Sequence, residues 1–295
     1  MDDRILHFRK MNGLGNDFVV LDHRVDGFKI TEDFVRAVAD RDNGVGCDQL
    51  IVMVPSKIAD TRMRIWNNAG GEVESCGNAT RCIADILFKE TGKDTVLVDT
   101  TGGLLICTAA DDDMITVDMG KPKFGWQDIP LSEEFHDTTG IELQIGPIDA
   151  PLLHTPSVVN VGNPHAIFWV EDVEAYDLAR TGPLLEMHPV FAQGANISLA
   201  KVAKNKNDDH ITLKVWERGA GLTRACGTGA CAAAVCAARK NLTGRKVTVT
   251  LPGGDLAIEW RDHDDHMMMT GPITYEYDGI LPAQLISPDL SSGVA

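Results

Sequence analysis

Basic residues are scarce in this chain. Lys and Arg number 27 against 43 Asp and Glu, for a formal net charge of -16. Binding to nucleic acid needs a basic face that neutralises phosphates, so that class of partner is not expected. Long apolar runs are absent as well. No stretch of about 18 apolar residues occurs, so no membrane-spanning helix and no membrane partner are expected. The start, MDDRILHFRK, is charged and carries no leader-like apolar segment, which points to a cytoplasmic protein. The seven cysteines are odd in number and form no C-x-x-C, so neither a disulfide framework nor a thiol redox module is expected. GLGNDF and GAGLTR begin like a dinucleotide fingerprint but lack its third glycine, and neither a GK[ST] phosphate loop nor H-E-x-x-H occurs. No cofactor and no metal site are therefore expected. The run His263-Asp264-Asp265-His266 lies between two strand-like segments and reads as a hairpin turn. The final PDLSSGVA reads as a frayed tail.

What is present is an ordinary globular composition, 44% hydrophobic and 24% charged, over 295 residues, a length that favours two domains. The chain also repeats itself. GLGNDFVV and VGNPHAIFWV each place Gly-Asn before an apolar run, RIWN answers KVWER, SCGNATRC answers ACGTGACA, TTGGLLI answers LPGGDLAI, and VDMGKP answers MMTGPI. The anchors Asn16/Asn163, Trp66/Trp216, Cys76/Cys226, Gly102/Gly253 and Gly120/Gly271 are 147, 150, 150, 151 and 151 positions apart, in the same order. Turn residues recur wherever strands end, but five ordered pairs at nearly one spacing indicate duplication. The expected organisation is a repeat domain over 1–123, completed by the C-terminal segment 274–295, and a second over 124–273. Short apolar runs such as FVVLD, LIVMV, TVLVDT and KVTVTL predict strands, and helices are predicted near 31–40, 78–90, 170–180 and 228–240. The last of these is made almost wholly of small residues, which suits a helix surrounded by protein. The fold class is thus α/β (α+β): two pseudo-symmetric domains, each a barrel-like, mainly antiparallel sheet around a central helix, with an active site in the cleft between them.

Each central helix begins just after a Cys-Gly pair. A helix N-terminus offers unpaired N–H groups and a partial positive charge, which would lower the pKa of a thiol there. Cys47, Cys82, Cys107, Cys231 and Cys236 read as core packing, whereas Cys76 and Cys226 occupy equivalent helix starts. Inversion of a carbon centre needs one group to remove a proton from one face and another to return a proton to the opposite face, and two tuned thiols can do this. Asn16, Asn67, Asn163 and Asn196 are loop amides that both donate and accept, as a zwitterionic substrate requires. Arg218 could grip a second carboxylate and Glu217 an ammonium.

These residues resemble the diaminopimelate epimerase family over nearly the whole chain, through GLGNDFVVLD, GVGCDQL, RIWN, ESCGNATRC, VGNPHAI, GANISL, WERGAG, ACGTGACAA, LPGG and YDG. The resemblance implies a homodimeric isomerase that interconverts LL- and meso-diaminopimelate in lysine and peptidoglycan biosynthesis without pyridoxal phosphate, metal or nucleotide. It implies Cys76 and Cys226 as catalytic acid and base, with Gly77, Asn78, Gly227 and Thr228 holding the reacting carboxylate. Asn16, Asn67, Asn163, Asn196, Glu217 and Arg218 match its substrate contacts, and Gln49 and His165 match further positions lining the site. The chain departs from the family pattern at Ala69-Gly70-Gly71 and at Ala79. Two alternatives stay open at this point: a two-cysteine racemase of another amino acid such as proline, which Glu217-Arg218 disfavours, and a non-catalytic amino-acid binding protein.

Overall fold

The computed structural model of the protein describes residues 5–74, 76–204, 209–282 and 285. The terminal PDLSSGVA lies outside the described residues. The chain divides into two compact units, Met1–Val117 with Gly271–Ala295, and Asp118–Thr270.

In the first unit, strand Thr274–Ile280 pairs antiparallel with His7–Gly13, which pairs antiparallel with Asn16–Asp22. The sheet continues parallel to Gln49–Val54, antiparallel to Thr61–Asn67, parallel to Thr95–Thr100 and antiparallel to Gly103–Ala109. The second unit runs the same sequence of pairings. Ser157–Asn160 pairs antiparallel with Pro164–Trp169, which is parallel to Asn196–Lys204. That strand is antiparallel to Asp209–Glu217, which is parallel to Lys246–Leu251, itself antiparallel to Gly254–Trp260. The repeat read from Gly and Cys anchors is therefore a repeat of topology: parallel neighbours recur at the same two places in each sheet.

Among the described residues the chain forms four α-helices, bounded mostly by local signals. α1 (Glu32–Ala39) is capped by Thr31, whose Oγ1 accepts from the Phe34 N–H at 3.2 Å, and Glu32 and Asp33 sit in its positively polarised first turn. α2 (Gly77–Thr91) ends on Gly92, whose φ of 68° places it in the left-handed region while its N–H returns to Phe88 O. α4 (Gly227–Arg239) is buried along nearly all its length, because Ala, Gly and Cys leave no bulk to hold the surrounding strands away. The helix expected over 170–180 is displaced. Val173–Ala175 forms only a 3₁₀ turn and Tyr176 is extended, which breaks the segment. Asp177 then caps a new helix, α3 (Leu178–Glu186), by accepting from Arg180 N–H, and Pro183 is accommodated inside it. The sequence pattern missed this because nothing in the periodicity encodes the extended Tyr176 that separates the 3₁₀ turn from α3.

The core of the second unit gathers Phe168, Ile197, Leu199, Leu178, Leu185 and Phe191 around the sheet and α3. The five cysteines read as packing residues are buried. Burial pushes the thiols of Cys47, Cys107 and Cys236 up to about 12, so they are inert at neutral pH. The run containing His263 and Asp264 turns the chain between strands Gly254–Trp260 and Met267–Gly271, with Asp265 at φ 60°. His266 binds Asp118 there through Nδ1 at 2.8 Å.

Candidate active site

Both Cys-Gly pairs stand where the sequence places them, each cysteine serving as N-cap of a buried helix. Their surroundings differ. In the first unit Cys76 is half-buried, and its thiol donates toward Asn16 Oδ1 at 3.7 Å. The same oxygen accepts from Asn78 Nδ2 at 3.4 Å, and Asn78 Oδ1 accepts from Arg81 Nη2 at 3.1 Å. Arg81 is fully buried and also donates to Pro272 O. Asn16, Cys76 and Asn78 thus form one connected cluster. Gln49 stands opposite Asn67 on the neighbouring strand. Its Oε1 is buried without a hydrogen-bond partner among the described residues, an acceptor that a ligand N–H would satisfy. Asn67 uses its side-chain carbonyl to close its own turn, accepting from Ala69 and Gly71 N–H at 3.1 and 2.9 Å.

In the second unit Cys226 is only 3% exposed. Its sulfur folds back over the helix start and accepts from Gly229 N–H at 3.3 Å, with Thr228 Oγ1 at 3.5 Å. A thiol lowered by the helix end was the expectation, and at Cys226 the direction is the reverse. Burial raises its pKa well above the ordinary thiol value, the Glu217 carboxylate beside it adds repulsion, and the hydrogen bonds from Thr228 and Gly229 offset only part of this. Helix polarity is a local effect legible in sequence, whereas desolvation and the Glu217 charge arise from the tertiary fold.

A second cluster in this unit centres on His165, which is fully buried. Its Nε2 lies 2.9 Å from Asn163 Oδ1 and 3.5 Å from Asn196 Nδ2. Asn196 also donates to Pro164 O and accepts from Arg218 N–H, both at 2.9 Å. Burial, assisted by the Arg218 charge, holds the imidazole at about 3, so it is neutral at any working pH. The bond to Asn163 Oδ1 requires the proton on Nε2, which makes Nδ1 an acceptor. Among the described residues that atom is buried and has no hydrogen-bond partner, as is the case for Ser198 Oγ, which the sequence did not single out. Arg218 is exposed and donates through Nη1 to Gln193 O at 2.8 Å.

Asp48 was also missed by sequence reasoning. Its Oδ2 accepts from Asn16 Nδ2 at 3.1 Å and from Asp17 N–H at 3.0 Å, while Asp17 Oδ1 accepts from Asp48 N–H in return. Arg41 ties the two carboxylates together, and Lys10 binds Asp17. Burial alone would raise the Asp17 pKa, but the hydrogen bonds from Arg41 and Lys10 more than offset it and hold the group well below the usual carboxylate range. This frame holds the Asn16 amide nitrogen, so that the amide oxygen faces Cys76. Asp48→Ala is expected to lower kcat by about tenfold, the worth of one mispositioned hydrogen bond, in steady-state assays of a protein with unchanged far-UV circular dichroism. Unaltered kcat would show that Asn16 keeps its orientation without this support.

Among the described residues no group of three or more His, Cys, Asp or Glu is placed to hold a metal ion. Among the described residues, no helix is long and apolar enough to cross a membrane.

The family model described as Diaminopimelate epimerase matches residues 8–125 and 157–276, one segment in each repeat. The chain is 55% identical over 282 residues to the Diaminopimelate epimerase of Rhodopseudomonas palustris strain BisB5, covering 95% of this chain and 94% of that protein. It is likewise 55% identical over 284 residues to that of Bradyrhizobium sp. strain BTAi1, covering 95% and 96%. Among solved structures, the hydroxyproline epimerase of Agrobacterium vitis matches with a TM-score of 0.67 at 14% identity, covering 100% of this chain and 96% of that one. A PhzF-family phenazine biosynthesis protein of Bacillus anthracis matches with a TM-score of 0.64 at 15% identity, covering 95% and 99%. Those two likenesses show a shared fold, and the sequence matches establish more: the chain belongs to the diaminopimelate epimerase family.

Proposed function

We propose that the chain interconverts LL- and meso-diaminopimelate by two-base proton transfer, with Cys76 and Cys226 acting on opposite faces of one α-carbon. One sulfur, as thiolate, takes the α-proton. The carbanion's charge spreads into the α-carboxylate, and the other sulfur, as thiol, returns a proton to the opposite face. The two protonation states are then exchanged, ready for the reverse reaction. The observation that carries this reading is that the only two cysteines capping helices stand in equivalent places of the two repeats, among the described residues. The names of the relatives support the substrate.

The remaining groups divide by chemistry. N–H groups at Gly77-Asn78 and Gly227-Thr228 receive the reacting carboxylate, as helix starts do for anions. Gln49 Oε1 and His165 Nδ1 supply buried acceptors for N–H donors of the substrate, alongside Asn16, Asn67, Asn163 and Asn196. Arg218 takes the second carboxylate in bidentate fashion. Glu217 takes an ammonium, and this has a consequence for Cys226. The Glu217 charge helps to keep Cys226 protonated. A substrate cation paired with Glu217 cancels that repulsion and makes the thiol more acidic when substrate arrives.

The sign of that effect is testable. Glu217→Gln removes the repulsion, so the Cys226 pKa falls and its alkylation by iodoacetamide sets in at lower pH. Measured in a Cys76→Ser background, the midpoint of the alkylation profile is expected to move down by about one unit. A midpoint that stays in place would show that the carboxylate does not act on the sulfur.

A proline-type racemase is disfavoured because its substrate has no second carboxylate for Arg218. A binding protein is separated from an enzyme by incubation in D₂O. Conversion of LL to meso substrate should place deuterium at the inverted carbon, whereas loss of both exchange and inversion in the reduced protein would leave only binding. We infer further that the protein works in the cytoplasm as a homodimer; light scattering on the purified protein tests the dimer, and fractionation of cells tests the compartment.

A further inference from the structure

We infer that Glu186, at the C-terminal end of α3, is a positioning residue that fixes the Glu217–Arg218 turn and thereby sets how Arg218 reads the substrate's second carboxylate. The inference rests on the reading of Arg218 given above.

Strand Asp209–Glu217 ends in a tight turn closed by Ala220 N–H to Glu217 O at 3.1 Å, with Arg218 as its first central residue and Gly219 as its second. Gly219 has φ 76°, which a side chain would strain. The turn carries both charged groups assigned to the substrate, so its orientation decides where they point. Glu186 holds it from the side. Oε1 accepts from Gly219 N–H at 2.9 Å, and Oε2 accepts from Trp216 Nε1 at 2.7 Å. Both carboxylate oxygens are thus committed, one on each side of Glu217-Arg218. The main chain of Glu186 extends the same grip, its carbonyl accepting from Ala195 N–H at 3.2 Å.

The neighbouring segment completes the cradle. Gln193 O accepts from Arg218 Nη1, and Asn196 Oδ1 accepts from the Arg218 backbone N–H. Gly194, at φ 69°, lets the arginine stem lie against the chain, since a Cβ there would stand 3.2 Å from Arg218 Cδ. Only a carboxylate satisfies both donors facing Glu186. A glutamine would offer one acceptor and one NH₂, leaving Trp216 or Gly219 N–H against another donor.

The first unit provides an independent parallel. Arg36 occupies α1 at the position 150 residues before Glu186, the same offset that separates Trp66 from Trp216. It donates through Nη1 to Ala69 O at 3.0 Å, in the turn that follows Trp66-Asn67. In each unit one charged residue of the flanking helix holds the turn after the tryptophan strand. Its sign matches the backbone atom presented: a cation for a C=O, an anion for an N–H.

The test is the double-mutant cycle of Glu186→Gln with Arg218→Ala, assayed on diaminopimelate. If Glu186 acts through Arg218, Glu186→Gln raises KM by about tenfold and leaves kcat within about threefold, because the contact to the distal carboxylate is made equally in ground and transition states. In the Arg218→Ala background the same substitution then changes kcat/KM by less than about twofold. A full, multiplicative effect in that background, or a fall in kcat at constant KM, overturns the inference. Should Glu186→Gln lose its near-UV tryptophan signal, Glu186→Asp keeps both acceptor oxygens and carries the same readout, with a smaller rise in KM that Arg218→Ala must again erase. Arg218→Ala with near-normal efficiency would instead count against the reading of Arg218 itself. Arg218→Ala that cripples the enzyme while Glu186→Gln is silent refutes only the role of Glu186.

Discussion

Replacement of either Cys76 or Cys226 by alanine is expected to lower epimerisation by about 10³-fold or more, within the range that general acid–base groups contribute. The loss should be asymmetric in a way that bulk inactivation cannot imitate. On the two-base reading proposed above, each stereoisomer presents its α-proton to one sulfur only. A protein with one sulfur left can still abstract from the isomer facing that sulfur, and the proton returns to the same face. Each single variant should therefore exchange the α-proton with D₂O on one isomer without inverting it, and the two variants should act on opposite isomers. Proton NMR of LL- and meso-diaminopimelate in D₂O separates these cases. Exchange of both isomers by one variant would mean that a single base serves both faces, and the pairing of thiols would be wrong.

Arg218→Ala should produce the second largest change, a fall in kcat/KM of about 10²- to 10³-fold, carried mainly by KM. Its guanidinium is the group assigned to the second carboxylate, and truncating one partner of a hydrogen-bonded charge pair costs about 2–5 kcal/mol. Arg218→Lys should recover little, since an ammonium cannot make two parallel bonds to a carboxylate. Steady-state kinetics measure this directly. Near-normal efficiency in Arg218→Ala would remove the distinction between a dicarboxylate substrate and a simpler amino acid.

The parts of this molecule that announce themselves in sequence are those with local causes. Gly92 at the end of α2 and Thr31 before α1 mark helix boundaries through their own backbone and side-chain chemistry. The all-small composition of α4 declares its burial. Ordered Gly, Trp and Cys anchors revealed the duplication because two copies of one turn need the same residues. α3 was misplaced because its true start depends on Tyr176 being extended, and nothing in the periodicity encodes that.

The site shows the same division. Asn16, Cys76 and Asn78 were legible, and the structure connects them through hydrogen bonds. Asp48 and Glu186 were not, since each works on residues about 30 positions away and neither lies in a pattern that distinguishes it from a surface carboxylate. Cys226 illustrates why charge and burial escape a linear reading. Its helix start and its Gly229 N–H contact are local and favour a thiolate, yet the surrounding protein and Glu217 decide the outcome.

The central claim is that Cys76 and Cys226 address one carbon from opposite sides, and a crystal structure of the reduced protein with bound diaminopimelate tests it most directly. The account predicts both sulfur atoms in van der Waals contact with the same α-carbon, one on each face, with Arg218 on the far carboxylate. Sulfurs that open into separate cavities, or that approach the carbon from one side, would contradict it.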